Sequence, residues 1–525
     1  MREGETVPDG AGIPCFSRGE GALLAAVILG AAALWAGYAR YSGIRLEDAF
    51  ITFRYARNVA TGQGFVFNPG EHVLGTTSPL HALILAALAS VFGADSIPRL
   101  SSVVMPVCGM GAGLLLFLLV RRLGSRVAAF LALILFATQR DIVTSGAGGM
   151  ETPLVLLLMI ACLYAAISRR CGWTAVTAAL LLIARIDAAI WLAFVFLFIL
   201  VEDRKAFLRT SLVAVLCLLP WIAFSWWYFG SPVPHSVAAK RVIGWDWLFG
   251  PFFASGRLDA YRLWIDTCFR PAEWLTMLVS LLGAVHAARD RDHRWLRILL
   301  LFPPVYIAAF FVGRAPVDFG WYLAPVILCI SVLAALGIGA IYRAAQAGAR
   351  LTGMQWLAPL GVVVPLFVFG ASRAQDIVEE SRRSQAFQYV FEDTLRRPVG
   401  LWLKEHTPPD ATVATEAIGY QGYYSERRII DLAGLVTPAV VSIRRASSSN
   451  AEAMARVLSE LKPDYLVLRS FEIDENQHFY GGAFFENEAQ RRAFRSHYVE
   501  MQRFASAYDY GPLSRLTVYR RLPGD

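Results

Sequence analysis

The chain has 525 residues, 56% of them hydrophobic, with a mean hydropathy of +0.47 and a formal net charge of +8. That hydropathy excludes an ordinary soluble protein. Repeated apolar runs near the ~20 residues needed to cross ~30 Å of hydrocarbon make it a polytopic helical membrane protein. The positive charge does not point to nucleic acid, because much of it lies in short loops between apolar runs, the positive-inside pattern.

The first apolar segment, Gly21 to Tyr38, follows an acidic-leaning N-terminus and runs straight into Arg40. It reads as an uncleaved anchor rather than a cleaved signal. A first outer loop over 40–97 then carries LEDAFITFRYARNVATGQGFVFNPGEHVLGTTSP, a long polar-rich passage between apolar segments. Leu46, Ala49, Phe50 and Phe53 fall at i, i+3, i+4 and i+7, the pattern of a short amphipathic helix. Glu47, Asp48, Arg54 and Arg57 occupy its other faces, and Gly62, Gly64, Asn68, Pro69 and Gly70 then break it into a structured loop.

Basic clusters set the topology. They are Arg121, Arg122 and Arg126; Arg169 and Arg170; Arg204, Lys205 and Arg209; Arg289, Arg291 and Arg294; and Arg343 with Arg350. With all of them cytoplasmic, the apolar run 80–94 must be a second interfacial helix rather than a crossing. Spans are then expected at 21–39, 98–120, 127–146, 153–168, 173–184, 188–201, 208–229, 272–288, 295–312, 322–342 and 355–371, about eleven in all. The N-terminus is inside, and 372–525 is outside. Cys108, Cys162, Cys217 and Cys329 lie within apolar runs, and no cysteine follows residue 372, so neither a disulfide framework nor a metal-type CxxC spacing is present.

The outward-facing loops collect the remaining polar candidates. Glu151 sits in SGAGGMETP, a glycine-rich turn between two spans. Arg185 and Asp187 interrupt LLLIARIDAAIWLAF, where a charge pair is expensive in lipid: either it joins two half-helices or it belongs to a site. GSPVPHSVAAKR places His235, Lys240 and Arg241 outside, with His235 either packing the loop or serving chemistry. Lys240 is the better candidate for a phosphate at the membrane surface. RAPVDFGWYLAP adds Arg314, Asp318, Trp321 and Tyr322, the aromatic pair being either an interfacial anchor or a stacking surface for a sugar or isoprenoid.

From Ser372 the composition becomes charged and mixed. Helical sequence to Glu405, strands around ATVAT, RRIIDLAGLV, DYLVLR and RLTVYRRL, and helices near 451–461 and 487–503 give one small α/β domain. The expected architecture is therefore an all-α polytopic membrane domain, 1–371, followed by an extracytoplasmic α/β domain, 372–525.

EDAFITFRYARN, GFVFNPGE and GTTSPL in the first loop, with GGMETP, ARIDA, PVPHSVAAK and IIDLAGLV further on, together resemble the GT-C superfamily of membrane glycosyltransferases. The nearest likeness is to the branch containing mycobacterial arabinofuranosyltransferase B. The resemblance implies transfer of a sugar from a polyprenyl phosphate to a glycan or lipid acceptor, with inversion, at the outer face of a bacterial cytoplasmic membrane. It also implies a catalytic acid pair opening the first outer loop whose first member generally acts as base, here Glu47 with Asp48 beside it. Relatives more often have Asp-Asp there, so Glu47 is a departure and the choice of base stays open. Glu151 falls where relatives carry a second acidic residue for metal or acceptor, so Glu151 and Asp48 are the candidate ligands of a divalent cation. Arg54, Arg185 and Lys240 would face the departing phosphate; Asp187, His235, Trp321 and Tyr322 complete the expected substrate contacts. A lipid or solute transporter and a non-catalytic envelope scaffold remain as other classes. A transporter would favour matched broken helices in two repeated halves, which the sequence does not display.

Overall fold

A computed structural model of the chain describes residues 16–243, 271–312, 320–351, 360–473, 484–509 and 514–523. α1 (Arg18–Ser42) is capped by the Ser17 hydroxyl, which accepts from the Glu20 amide at 3.1 Å. Two short helices follow, α2 (Glu47–Ala60) and α3 (Pro79–Phe92), and then α4 (Ile97–Arg121). Glu20 pairs with Arg121 at 2.8 Å and with Arg126 at 3.4 Å, so the start of α1 and the end of α4 lie at the same end of the bundle. The expected span 127–146 is bent by 51° into α5 (Arg126–Ala137) and α6 (Arg140–Ala147). Gln139 makes the break by turning its side-chain oxygen onto the amides of Asp141 and Ile142.

The chain continues through α7 (Thr152–Ile167), α8 (Cys171–Ala184), α9 (Ala189–Glu202), α10 (Arg204–Phe229) and α11 (His235–Ile243). Beyond it come α12 (Pro271–Arg289), α13 (Leu296–Val312), α14 (Gly320–Leu351) and α15 (Leu360–Phe387). Among the described residues four helices are long and apolar enough to cross a membrane alone, and the bent α5–α6 pair makes a fifth. On α10, Leu208, Leu212, Val215, Leu219 and Trp226 are each more than half exposed, a surface that only lipid tolerates. α12 and α14 touch backbone to backbone. A Cβ on Gly283 would overlap the Leu333 carbonyl, and one on Gly337 would overlap that of Val279, the close approach that small residues permit between membrane helices.

α3 has 14 residues, or about 21 Å of rise, the same as α8 and α9, so its length alone does not decide whether it crosses ~30 Å of hydrocarbon. Just past its end, Asp95 pairs with Arg57 of α2 at 3.1 Å, and Arg57 also pairs with Glu426 of the C-terminal part at 3.3 Å. Both ends of α3 therefore lie beside elements on one face of the bundle.

The boundary drawn at 371 falls inside α15, which runs on through a π-helical stretch, Gln388–Arg396, into α16 (Arg397–His406). The compact tail then alternates β1 (Thr412–Thr415), α17 (Ile418–Ser425), β2 (Arg428–Asp431), α18 (Pro438–Arg445), α19 (Asn450–Arg456) and β3 (Tyr465–Arg469). It closes with α20 (Glu488–His497), β4 (Tyr498–Ala505) and β5 (Arg515–Arg521). The sheet order is β2-β1-β3-β5-β4, parallel across β2, β1 and β3 and antiparallel from β3 through β5 to β4. The helix expected over 487–503 stops at His497. Phe494, Tyr498 and Met501 mimic a helical stripe, but from Tyr498 the chain is an edge strand paired only with β5. Arg314, Asp318 and the first residues of the expected span 355–371 lie outside the described residues.

On a cysteine-free background, Gln63→Cys and Asp95→Cys, which flank α3, should both react with an impermeant thiol reagent from the same side in sealed vesicles. Labelling of Asp95→Cys only after permeabilisation would make α3 a crossing.

Candidate active site

α2 is enclosed on three sides, and its helical period divides its side chains among them. Leu46, Ala49, Phe53 and Ala56 pack toward the membrane helices: the Phe53 ring lies 6.3 Å from His81, and Leu46 bonds its amide to the Gly148 carbonyl at 3.0 Å. Glu47, Phe50, Arg54 and Arg57 face the C-terminal domain. Phe50 stacks 4.0 Å from Tyr420, and Arg57 donates to the Tyr423 carbonyl at 2.9 Å. Asp48, Ile51 and Thr52 make the remaining face, which opens into a cavity.

The C-terminal domain is held by this helix and its loop. Arg54, 5% exposed, donates to the carbonyls of Gly422 at 2.7 Å and Arg427 at 2.6 Å, and its guanidinium lies 4.3 Å over the Phe67 ring. The Asn68 carboxamide donates to the Ile429 carbonyl and accepts from the Ile429 amide, each at 2.9 Å, pairing like an added strand residue on β2. The Glu47 carboxyl accepts from the Gly419 amide at the start of α17, and a Cβ on Gly419 would overlap the Glu47 carbonyl. Burial first, and the adjacent Asp48 charge second, push Glu47 up to about 8.

The docked domain completes the cavity. Asp431 at the end of β2 accepts from the amides of Ala433 at 2.8 Å, Leu435 at 2.5 Å and Val436 at 3.2 Å, winding the DLAGLV turn so that Leu435 reaches the cavity wall. Opposite, Tyr55 pins the first loop by donating to Val73 at 2.5 Å and accepting from the Gly75 amide at 2.8 Å. The His235 amide donates to Leu74 at 2.7 Å, which seats α11 on that loop.

The cavity encloses about 480 Å³, including the solvent at its mouth. Asp48, Thr52, Thr76, Glu151, Arg185, Ser236, Lys240, Trp321, Tyr322 and Leu435 contribute to its lining, most of them from helix ends. Arg185, in extended backbone between α8 and α9, holds Asp187 through two bonds of 2.8 and 3.1 Å and reaches Glu151 at 3.1 Å. Tyr306 donates to the same Asp187 carboxylate at 2.8 Å. The Arg185 guanidinium lies 4.7 Å from the Tyr322 ring centre, and Lys240 Nζ donates to the Tyr322 hydroxyl at 2.6 Å.

Of the residues expected from the sequence, the cavity brings together Asp48, Glu151, Arg185, Lys240, Trp321 and Tyr322. Asp187 stands behind Arg185 as its partner. Glu47 and Arg54 do not face the cavity, because their helical phase aims them at the C-terminal domain. Arg54, expected beside a phosphate, instead binds backbone carbonyls. His235 is not among the lining residues, while its neighbour Ser236 is. The sequence analysis passed over Ser236, although it stands one helical turn from Lys240. Asp48 and Glu151 share the cavity, but Glu151 is committed to Arg185. Among the described residues no group of three or more His, Cys, Asp or Glu is placed to hold a metal.

No curated protein matches the chain in sequence. A family model described as a domain of unknown function (DUF8728) matches residues 381–519. Solved structures match almost the whole chain. The archaeal oligosaccharyltransferase AglB from Archaeoglobus fulgidus, in complex with an inhibitory peptide and a dolichol-phosphate, superposes with a TM-score of 0.60 at 13% identity, over 97% of this chain and 75% of AglB. ArnT from Cupriavidus metallidurans bound to undecaprenyl phosphate superposes with a TM-score of 0.54 at 11% identity, over 96% of this chain and 98% of ArnT. At these identities the likeness is one of fold.

Arg54→Ala would remove the side-chain donor to the buried Arg427 carbonyl and one of the two donors to that of Gly422, which also accepts from the Glu426 amide, a loss of about 1–3 kcal/mol. The purified protein should lose thermal stability and release its C-terminal domain faster under limited proteolysis. An unchanged cleavage rate would deny Arg54 this role. Because Glu47 is raised, its neutral form is the one favoured in the folded protein. The stabilisation it gives is full below its ordinary value near 4.5 and is lost as pH rises toward about 8. Protease resistance of the docked domain should fall over that window in the wild type, and Glu47→Gln should flatten the dependence.

Proposed function

We propose that this protein is a membrane glycosyltransferase that moves a sugar from a polyprenyl-phosphate donor to an extracytoplasmic glycan or lipid acceptor, with Asp48 as the base. The observation that carries the reading is the convergence of Asp48, Lys240, Tyr322 and the Arg185–Glu151 pair on one cavity. The fold is shared with proteins solved with dolichol-phosphate and undecaprenyl phosphate, which adds support.

Each residue has a part that follows from its place. In an inverting displacement the acceptor hydroxyl attacks the anomeric carbon while the phosphate departs from the opposite side. The acceptor proton goes to the Asp48 carboxylate, the C–O bond forms to the acceptor oxygen, and the electron pair of the breaking bond goes to the phosphate oxygen. Asp48 rather than Glu47 is the base, because only Asp48 lines the cavity. Lys240 holds the phosphate, its ammonium steered by Tyr322 and still offering two further N–H donors. Arg185 is neutralised by Asp187 and Glu151, so it acts as a rigid wall that fixes Glu151 toward the acceptor side. Trp321 supplies an aromatic surface for the sugar.

The same reading keeps about eleven crossings with the N-terminus inside and the C-terminal domain outside, in a bacterial cytoplasmic membrane. The sequence resemblance to the arabinofuranosyltransferase branch makes a pentosyl donor the first to test.

Asp48→Asn should insert normally yet lose about 10²–10⁴-fold in turnover with polyprenyl-phosphate donors in proteoliposomes. Wild-type rates in that variant would remove the base. Lys240→Ala should lose about 10–10³-fold in kcat/KM, with Lys240→Arg recovering part, since charge survives but point-donor geometry does not. A donor-independent defect would detach Lys240 from the phosphate.

A further inference from the structure

We propose that Ser236 is a phosphate-binding residue, whose hydroxyl donates to a non-bridging oxygen of the lipid-linked monophosphate in the cavity. The inference rests on the transferase reading above and adds to it the second donor of the phosphate subsite.

Ser236 is 2% exposed and lines the cavity, and its Oγ has no hydrogen-bond partner among the described residues. Buried hydroxyls are rarely left so, and one that opens into a cavity is satisfied by what enters it. Ser236 and Lys240 stand at i and i+4 of α11, hence on one face and one turn apart, and both line the same cavity. Ser236 is the second residue of that nine-residue helix, where the positive end of the backbone dipole favours an anion.

The charges on the cavity wall fix the kind of anion. Its cations are Arg185 and Lys240, and Arg185 already holds two carboxylates. Lys240 is therefore the cation that offers donors to an incoming anion, and one ammonium matches the single charge of a sugar phosphodiester. When the sugar leaves, its bonding electron pair stays on the phosphate oxygen and the acceptor proton is on Asp48. The added charge then falls on Lys240 and on the neutral donor Ser236, which can strengthen its bond without adding repulsion.

The test is equilibrium binding of undecaprenyl phosphate and of undecaprenol to the full chain in nanodiscs, with inorganic phosphate as competitor. Ser236→Ala should bind undecaprenyl phosphate about 10-fold more weakly, as expected for a lost bond to a charged group, while undecaprenol binding stays the same. Ser236→Thr, which keeps the hydroxyl, should restore most of the affinity. Unchanged binding of undecaprenyl phosphate by Ser236→Ala overturns the assignment. Equal loss of undecaprenol binding overturns it too, because the hydroxyl would then serve packing. A defect confined to competition by inorganic phosphate would place a free-phosphate site there and not the donor subsite. If the wild type bound neither lipid, the donor reading itself would fall.

Discussion

The arrangement depends on a buried guanidinium that has no carboxylate partner. A charge removed from water costs several kcal/mol unless its donors are met, and Arg54 meets them with the Gly422 and Arg427 carbonyls and the face of Phe67. Both carbonyls belong to the C-terminal domain, flanking the end of α17 and the start of β2. Docking is therefore what keeps Arg54 solvated by protein, and Arg54 in turn fixes where β2 begins. From the other end of β2, Asp431 winds the turn that carries Leu435 to the cavity. The site is consequently composite: its acid and cations come from the membrane domain, and part of its wall exists only while the tail is docked.

Helix ends supply the rest. Glu151 precedes α7, Arg185 ends α8, Lys240 rides α11, and Trp321 and Tyr322 open α14. Polar groups at such ends escape the hydrocarbon yet border it. The Arg185 cluster illustrates how the chain avoids an unpaired charge there. Two carboxylates, one of them also held by the Tyr306 hydroxyl, and an aromatic face surround one guanidinium, so it cannot swing away without abandoning them. Lys240 has only a tyrosine hydroxyl, and its unshared donors are what make it the responsive cation.

Much of this was legible in the sequence, and the physical reasons are uneven. The helices stand close to where ~20-residue apolar runs and basic loops put them, because hydropathy constrains length. The bend at Thr138–Gln139 was not legible, since it arises from a side chain turned onto backbone amides inside an apolar run. β4 was misread because the spacing of Phe494, Tyr498 and Met501 fits a helix, while an exposed edge strand imposes no alternation of its own. Polar candidates were recognisable as a set, since charges in outer loops are few. Which of them converge depended on tertiary placement: Arg54 and His235 have suitable chemistry, but α2 and α11 turn them toward other partners.

The adjacent acids of α2 make the same point most sharply. Neighbouring helical residues point about 100° apart, so an acid pair in sequence cannot be a pair in one pocket when both faces of the helix are covered. The phase that sends Asp48, Ile51 and Thr52 into the cavity sends Glu47, Phe50 and Arg54 into the docked domain. Glu47 thereby accepts from a backbone amide of α17, which by itself favours the ionised form, but burial outweighs it and raises the carboxyl toward the neutral form. On this view the longer Glu47 side chain, with its extra methylene, is suited to reach the Gly419 amide. That contact belongs to the joint between the domains, while Asp48, the residue that follows, lines the cavity.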